Sequence, residues 1–269
     1  MLHHDPKLQA LKDILLAHQP GIIGVSGGVD SAFLAAMAAF WTLDYHAVFL
    51  TGPHISPEDR KNAQKLVQEV GLCFTIREFS PLDIPEAAAN SLERCYYCKT
   101  ALVRALQATG YRGAEHVLEG SHLSDSQEYR PGRRALQEQG VISPLSQAQM
   151  VKEDIRRYAR DLGLEQADQP SRPCLMTRFA YGYRMTECEL HQVGKAEDSL
   201  RRIGLDLFRI RIHHPDHIVL HIHQSSKQTA TGKGEAIVAC MKHAGFPSFS
   251  LQFVQTLSGY FDRENAVTT

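Results

Sequence analysis

Short apolar runs alternate with longer amphipathic segments along the first two thirds of the chain. The runs are rich in Ile, Val, Leu and Phe and lie between turn-forming residues, which favours strands. The clearest helix starts after Ser56, where a capping serine precedes Pro57 and two acidic residues. The predicted strands are residues 21–25, 46–50, 72–79 and 116–119, and the predicted helices are residues 31–40, 57–70, 95–110 and 151–162. Such alternation predicts an α/β fold whose parallel sheet carries helices on both faces.

The pattern changes between residues 168 and 183, where Pro170 and Pro173 interrupt a segment that lacks helix or strand periodicity. We interpret this segment as a loop that joins two domains. Beyond it, the sequence predicts helices over 187–203 and 232–243 and strands over 207–213, 217–223 and 248–254. We therefore predict a large domain over residues 1–180 and a small α+β domain over 181–269 that serves substrate contact or oligomerisation.

Composition argues against several broad classes of protein. The 269 residues have a formal net charge of -1, which offers no general basic surface for nucleic acid or a membrane. The longest apolar stretch, residues 32–43, is too short to span a bilayer, and the N-terminus lacks the pattern of a secretory signal. We therefore expect a cytoplasmic protein, in which unevenly spaced cysteines favour metal binding or catalysis over disulfides.

The most informative motif is Ser-Gly-Gly-Val-Asp-Ser at residues 26–31, between a predicted strand and a predicted helix. Its glycines let the backbone approach a ligand, its serines add hydroxyl groups, and the helix directs free N–H groups to the same place. Asp30 can help to hold a magnesium ion that bridges phosphates. A tight glycine turn is the simpler alternative, but the whole hexapeptide in this context favours a pyrophosphate loop. The residues predicted to bind the nucleotide here are Ser26, Gly27, Gly28, Val29, Asp30 and Ser31.

Three cysteines form a candidate metal site. Cys95 and Cys98 are three residues apart at the start of a predicted helix and share a face there. Cys174 lies in the proline-flanked loop. Three thiolates can bind a four-iron four-sulfur cluster and leave one iron open, but spacing alone equally allows zinc, a redox pair or chance. The remaining cysteines, Cys73, Cys188 and Cys240, are expected to be small buried apolar residues.

The loop at residues 26–31 resembles the signature of the PP-loop (ATP pyrophosphatase) superfamily, whose members cleave ATP between the α and β phosphates. Most of the chain is similar to the LarE type of ATP-dependent sulfur transferase within that superfamily. The matching segments are residues 90–99, 119–125, 128–132, 143–145, 152–156 and 173–178, with a degraded closing motif at 257–260. The resemblance implies an adenine-nucleotide α-hydrolase-like fold, with ATP and Mg²⁺ as cofactors.

The resemblance also implies a reaction. The family builds the sulfur-bearing pincer ligand of a nickel cofactor, used by lactate racemase-type enzymes, from a pyridinium mononucleotide with two carboxylates. A carboxylate is adenylated, and a sulfur nucleophile then displaces AMP to leave a thiocarboxylate. In one branch the cysteine that matches Cys174 gives up its own sulfur, whereas a three-cysteine branch relays sulfide on an iron–sulfur cluster. Cys95, Cys98 and Cys174 match the second branch, so the resemblance predicts a four-iron four-sulfur cluster with these ligands.

Roles for single residues follow from the same match. We expect Cys174, Asp30 and Arg178 to be catalytic, and the nucleotide site to include Thr51, Gly120 and Asp125. Substrate contacts are expected from Arg130, Arg178, Arg209, Arg211 and Tyr97. Arg209 and Arg211 alternate along one strand face and suit a phosphate, although a salt-bridged strand face is an equal alternative. His217, His221 and His223 also share a face, which we interpret as a polar strand face in preference to a metal site.

Some charged residues of the family are missing from this chain. His122 and Ser124 stand where the family carries an Asn and an acidic residue, and residues 218–221 stand where it carries Ala-Arg-x-Glu. Two alternatives therefore stay open: a tRNA-thiolating or amide-forming PP-loop enzyme, and a non-catalytic ATP-binding module with structural zinc. The resemblance also implies a homo-oligomer, a hexamer or trimer, and the sequence does not identify a sulfide donor.

Overall fold

The structure is a computed structural model that describes residues 5–124 and 131–268. The chain forms two compact units. Unit 1 comprises residues 1–52, 59–87 and 93–171, and unit 2 comprises residues 53–58, 88–92 and 172–269, each without the undescribed residues. The domain boundary expected near residue 180 stays a prediction, because compactness alone does not show which segments fold independently.

Unit 1 contains a parallel sheet of four strands in the order β3-β2-β1-β4. Its strands are β1 (Gly21–Val25), β2 (Tyr45–Thr51), β3 (Cys73–Glu78) and β4 (His116–Leu118). The chain moves outward from β1 to β3 and then returns to place β4 on the other side of β1. The carboxyl ends of β1 and β4 therefore flank a topological switch point, where open α/β sheets bind their ligands.

Helices cover both faces of this sheet, as the alternating pattern predicts. The helices of the first part of the chain are α1 (Pro6–Ala17), α2 (Val29–Phe40), α3 (Pro57–Val70), α4 (Pro85–Ala88), α5 (Arg94–Gln107), α6 (Pro131–Glu138), α7 (Pro144–Gln147) and α8 (Lys152–Asp161). On one face, Val48 packs into a cluster with Val103 and Leu106 of α5. On the other face, Ala47 shares an apolar crevice with residues of α2 and α3. The predicted α/β class is confirmed.

The second, smaller sheet lies in unit 2 and has the order β5-β6-β7. Its strands are β5 (Phe208–His214), β6 (His217–His223) and β7 (Ser250–Val254), and its helices are α9 (Glu187–Arg202), α10 (Lys227–Thr231), α11 (Gly234–His243) and α12 (Tyr260–Thr268). β5 and β6 are antiparallel, whereas β6 and β7 are parallel. Ile210, Leu220 and Ile222 lie on one fully buried face. The mixture of strands and helices matches the predicted α+β unit.

The outer edge of β5 is covered by other parts of unit 2. Phe179 forms an isolated parallel bridge with Ile212, and the N–H of Ala180 donates to the Ile212 carbonyl at 2.9 Å. The N–H of Ile210 donates to the carboxylate of Glu197, a residue of α9, at 3.2 Å. The segment that follows Cys174 is therefore fixed against the sheet.

Candidate active site

The loop between β1 and α2 is shaped by its two glycines. Gly27 has φ = +82°, a left-handed conformation that glycine adopts without steric cost. A β-carbon at Gly27 would lie 2.3 Å from the carbonyl oxygen of Asp59, so a larger residue does not fit. Gly28 has φ = −88° and caps α2, at the end where a helix has free N–H groups. The loop thus has the form expected of an anion cradle.

Ser31 holds this loop in shape. Its hydroxyl accepts a hydrogen bond from the N–H of Ser26 at 3.1 Å and donates one to the carbonyl of Gly28 at 3.2 Å. The hydroxyl of Ser26 lies 3.1 Å from that of Ser31. Ser31 is buried and Ser26 is exposed, so Ser26 is the serine that a ligand can reach.

Gly120, which follows β4, brings a second backbone segment against the loop. A β-carbon at Gly120 would lie 2.8 Å from the N of Ser31 and 3.0 Å from the carbonyl carbon of Asp30. The neighbouring Glu119 fixes this turn, because its carboxylate accepts hydrogen bonds from the N–H of Ser121 at 3.0 Å and the hydroxyl of Ser143 at 2.5 Å. The loop after β1 and the turn after β4 therefore meet at the switch point.

Lys152, the first residue of α8, holds the carboxylate of Asp30. Its Nζ lies 2.7 Å from Oδ1 and 2.6 Å from Oδ2 of Asp30, and both side chains are about a quarter exposed. Nε2 of the buried His122 lies 4.0 Å from Oδ1 of the same carboxylate. The sequence reasoning did not select Lys152 or Glu119 as site residues, although both lie in segments that match the family. A lysine bound to the acid of a pyrophosphate loop is itself positioned to meet a phosphate.

Thr51 ends β2 with its hydroxyl buried. The residue is 4% exposed, and within the described part of the chain its Oγ1 has no hydrogen-bond partner. A buried hydroxyl without a partner costs stability, which is a common feature of binding sites. Its place at the carboxyl end of β2, next to β1, agrees with the predicted role in nucleotide binding, which stays a prediction.

Cys95 and Cys98 lie one turn apart at the start of α5. Cys95 is exposed and Cys98 is partly exposed. Gly132 of α6 packs against this turn, because a β-carbon there would lie 3.5 Å from Cβ of Cys95. The adjacent Tyr97 is 37% exposed, and its ring meets that of Tyr96 edge to face at 5.4 Å. The turn therefore offers two thiols and an aromatic ring to solvent.

Cys174 begins a short 3₁₀ turn, Leu175–Arg178, in unit 2. Its carbonyl accepts hydrogen bonds from the N–H of Thr177 at 3.0 Å and from the Thr177 hydroxyl at 2.8 Å. The N–H of Leu175 donates to the carbonyl of His54 at 2.9 Å. The cysteine is thus partly exposed at the start of a turn whose backbone is held by these hydrogen bonds.

Arg178 anchors the same turn through a buried ion pair with Glu197. The side chains are 1% and 0% exposed, and the guanidinium donates to the two carboxylate oxygens at 2.7 and 3.0 Å. A third nitrogen donates to the Thr177 hydroxyl at 2.8 Å and the Pro173 carbonyl at 3.3 Å. Burial alone would raise the pKa of Glu197, but the charge and hydrogen bonds of Arg178, with further arginines, lower it to about 2.

Two more buried arginines, Arg209 and Arg211, extend from β5 near this pair. Arg211 donates to the carbonyl of Thr177 at 3.0 Å and to the carbonyl of Leu257, and it lies 5.3 Å from the ring centroid of Tyr260. Burial, followed by repulsion from Arg178, lowers the pKa of Arg209 to about 9 and that of Arg211 to about 10. Excess positive charge of this kind favours binding of an anion.

The histidine face of β6 is only partly exposed to solvent, contrary to the expectation of a polar strand face. His217 is exposed, but His221 is completely buried beside Arg209, with which it pairs across the strands. Burial and then the charge of Arg211 lower the pKa of His221 to about 4, so this histidine is neutral near pH 7. His221 therefore belongs to the arginine cluster of unit 2.

The cysteine predictions have mixed outcomes. None of the six cysteines forms a disulfide. The expectation that Cys73, Cys188 and Cys240 are buried is wrong, because the first two are exposed and the third is half-buried. Among the residues that the structure describes, no three His, Cys, Asp or Glu side chains are grouped so as to hold a metal ion. Cys95 and Cys98 belong to unit 1 and Cys174 to unit 2.

Two predicted site residues, Asp125 and Arg130, lie outside the described residues. The roles assigned to the other site residues stay predictions. No helix in the described ranges is both long and apolar enough to cross a membrane.

Known proteins resemble this chain over most of its length. An uncharacterised protein of Synechocystis, slr1717, is 36% identical over 210 residues, which cover 77% of this chain and 78% of that protein. The pyridinium-3,5-bisthiocarboxylic acid mononucleotide synthase of Lactiplantibacillus plantarum is 30% identical over 207 residues, 76% of this chain and 74% of the synthase. An uncharacterised protein of Methanocaldococcus jannaschii, MJ0830, is 28% identical over 71% of this chain and 73% of its own length.

The family model of NAD synthase, a PP-loop family, matches residues 15–97, which include the loop at 26–31. This match, the parallel sheet and the similarity to the synthase agree with each other. The chain therefore belongs to the LarE-type family of ATP-using PP-loop enzymes.

Proposed function

We propose that this protein is an ATP-dependent sulfur transferase that converts a carboxylate of a pyridinium mononucleotide to a thiocarboxylate, for the nickel-pincer cofactor of lactate racemase-type enzymes. The observation that supports nucleotide binding is the close approach of Gly120 to Asp30 and Ser31, at the end of the loop at 26–31 and at the switch point of the sheet. The 30% identity to a synthase named for the bisthiocarboxylic acid product supports the substrate class. The reduced thiols suit a cytoplasmic enzyme.

The first step uses the groups around Asp30. A triphosphate in the loop competes with Asp30 for the ammonium of Lys152. The carboxylate of Asp30 would then help to hold Mg²⁺, which when bound would offset the charge of the phosphates. A carboxylate oxygen of the substrate attacks the α phosphorus, the bond between the α phosphorus and its bridging oxygen breaks, and pyrophosphate leaves. The substrate retains AMP as a mixed anhydride, which is open to a sulfur nucleophile.

The second step forms the carbon–sulfur bond. A sulfide sulfur attacks the acyl carbon, AMP leaves with the former carboxylate oxygen, and a thiocarboxylate remains. By the family resemblance, Cys95, Cys98 and Cys174 would hold a four-iron four-sulfur cluster. Their chemistry fits because all three are thiols outside disulfides, one exposed and two partly exposed. When bound, the cluster would supply the transferable sulfide from an iron that lacks a protein ligand.

The arginines of unit 2 divide into two roles in this proposal. Arg178 is a positioning residue, because Glu197, Thr177 and Pro173 already take up its donors. It holds the turn that carries Cys174. Arg209 and Arg211 provide the positive charge that a substrate phosphate or carboxylate requires. The enzyme is also proposed to act as a homo-oligomer, as the family resemblance implies.

The test measures pyrophosphate release and thiocarboxylate formation with the carboxylated pyridinium mononucleotide, ATP and sulfide, under anaerobic conditions. Release that depends on the mononucleotide supports the proposal, and ATP binding without release contradicts it. Iron and sulfide contents are measured on the same sample, and on Cys95→Ala and Cys174→Ala. Zinc, or a metal content unchanged by both substitutions, would overturn the cluster. Loss of one sulfur from Cys174 per turnover would instead identify that residue as the donor.

A further inference from the structure

The sheet of unit 2 has two different edges. The outer edge of β5 is covered by residues 178–180 and by Glu197. β7 forms the opposite edge, and its first three residues, Ser250 to Gln252, are exposed in the chain as a whole. Leu251 is 40% exposed although its partner across the strands, Leu220, is completely buried. The buried apolar face of the sheet therefore reaches the surface at β7.

The sequence around β7 is free of charge. Residues 244–261 contain no Asp, Glu, Lys, Arg or His, in a chain of which 22% of residues are Asp, Glu, Lys or Arg. No proline occurs in this stretch after Pro247, which precedes the strand. Exposed edge strands of soluble proteins normally carry a lysine, a proline or a bulge that prevents pairing with another strand. β7 has neither of the first two devices.

β7 also lacks a bulge. The register between β6 and β7 runs without a shift from Val219 with Ser250 to His223 with Val254. By contrast, the register between β5 and β6 shifts between Ile212 and His214. β7 is therefore a regular edge strand whose alternate backbone N–H and C=O groups point away from β6.

We propose that β7 pairs with β7 of a second copy of this chain. In an antiparallel arrangement about a two-fold axis, the free backbone N–H and C=O groups of each β7 pair with those of the other copy. The two three-stranded sheets then join into one. The absence of charge favours this occupant, because a neutral segment meets its own copy without repulsion and offers no charge complement to a different partner. This interface is independent of the proposed activity and concerns only the small sheet.

The first test measures the mass of the full-length protein by sedimentation, with a chain mass of 30.1 kDa as reference. We expect the wild type to be an oligomer of even order. Leu251→Lys and Ser250→Lys each place two like charges, one from each copy, in an interface that is otherwise uncharged, and should lower the mass at least two-fold. Leu16→Lys in α1 of unit 1 is the matched control, because Leu16 is 44% exposed and lies outside this sheet. Circular dichroism checks that each variant is folded.

The second test needs no substitution. Amide hydrogen exchange over residues 250–254 is compared at a high protein concentration and below the dissociation range. We expect exchange at least ten-fold slower in the oligomer, since a paired edge is protected and a free edge is not. A monomeric wild type would overturn the proposal. An oligomer that survives both lysine substitutions, or exchange at β7 that does not depend on concentration, would also overturn it.

Discussion

At the scale of single residues, Asp30 and Lys152 allow catalysis and stability to be separated. Asp30→Asn keeps the shape of the side chain but removes the charge of the proposed magnesium ligand. We expect kcat/KM for pyrophosphate release to fall by about 10²- to 10³-fold, the usual cost of one lost electrostatic contact in the transition state. The Tm should change little, because a partly exposed ion pair contributes about 0–1 kcal/mol.

The control is Lys65→Ala, which breaks the exposed pair with Glu165 in the same unit. It should leave pyrophosphate release within about two-fold of wild type, since surface pairs contribute little. If the free energy of unfolding of Asp30→Asn fell by as much as its transition-state stabilisation, Asp30 would only hold the structure together.

A second prediction concerns the buried ion pair of Arg178 with Glu197, whose loss should lower the free energy of unfolding. Arg178→Ala leaves the fully buried Glu197 with Arg201, at 2.9 Å, as its remaining ion-pair partner, and removal of one member of a buried pair typically costs up to about 3–5 kcal/mol. Urea unfolding should report this loss directly. Arg178→Lys retains the charge but not the paired hydrogen bonds, and it should recover part of the stability.

The readout specific to the Cys174 turn is the rate at which a thiol reagent labels that residue, followed by peptide mass analysis. We expect Arg178→Lys to raise this rate, since the turn loses its bonds to Pro173 and Thr177. Arg202→Ala on α9 is the control, because its pair with Asp198 is exposed. An unchanged labelling rate in a folded Arg178→Lys protein would contradict the positioning role.

At the scale of elements, the loop between β1 and α2 can be tested at a position where the free protein has room. A β-carbon at Gly28 would lie 3.6 Å from the hydroxyl oxygen of Ser26, which is ordinary contact, and φ is −88°. Gly28→Ala should therefore fold normally and yet bind ATP at least ten-fold more weakly, because its methyl group adds bulk to the loop that is proposed to hold the phosphates. Equilibrium ATP binding and Tm are the measurements.

Gly27→Ala gives the contrasting result in the same loop. Its β-carbon meets the Asp59 backbone at 2.3 Å, so this substitution should lower the Tm as well as ATP affinity. Gly140→Ala, at φ = +65° with nothing within 4 Å, measures the backbone cost alone, about 1 kcal/mol. Normal ATP affinity in Gly28→Ala would mean that the loop does not cradle phosphates.

The sequence predicted elements well where an apolar run lies between strong turn residues. β1 and β6 have the predicted bounds, and α3 begins at Pro57, directly after Ser56, as expected. Within the described residues, six helices were not predicted: α1, α4, α6, α7, α10 and α12. Polar residues dominate α6, and α12 follows a stretch without a clear period. Short helices of this kind are stabilised by tertiary contacts, which propensity and periodicity do not record.

The same limit explains which site residues were found. The loop at 26–31 could be predicted from the sequence, since its residues are contiguous and backbone N–H groups provide most of its ligand contacts. Lys152 reaches Asp30 from 122 positions away, and Arg178 reaches Glu197 from another element. One signal for Glu197 was present: it lies in the apolar stripe of α9, between Val193 and Leu200, where a charge must be buried and paired.

At the scale of the whole molecule, the buried groups of unit 2 predict how stability depends on pH. Burial holds the pKa of His221 at about 4, below its ordinary value of 6.5. Below pH 6.5 the unfolded chain therefore binds a proton that the folded chain does not, and the free energy of unfolding must fall. The slope from this one group is at most about 1.4 kcal/mol per pH unit, and it acts between pH 6.5 and about 4.

Glu197 adds a second loss at lower pH. Its pKa is about 2 in the folded protein, below its ordinary value of 4.5, so its stabilising effect is complete above pH 4.5 and is lost as the pH falls toward 2. Urea unfolding of the wild type and of His221→Gln between pH 8 and about 5.5 isolates the histidine, because Glu197 stays ionised in both the folded and the unfolded chain over that range, and the other titrating groups are common to the two proteins. His221→Gln should flatten the curve in the part of that range below pH 6.5, whereas substitution of the exposed His217 should leave it unchanged. A curve that stays equally steep in His221→Gln would mean that other groups take up the proton, and that the arginine cluster does not depend on a neutral histidine.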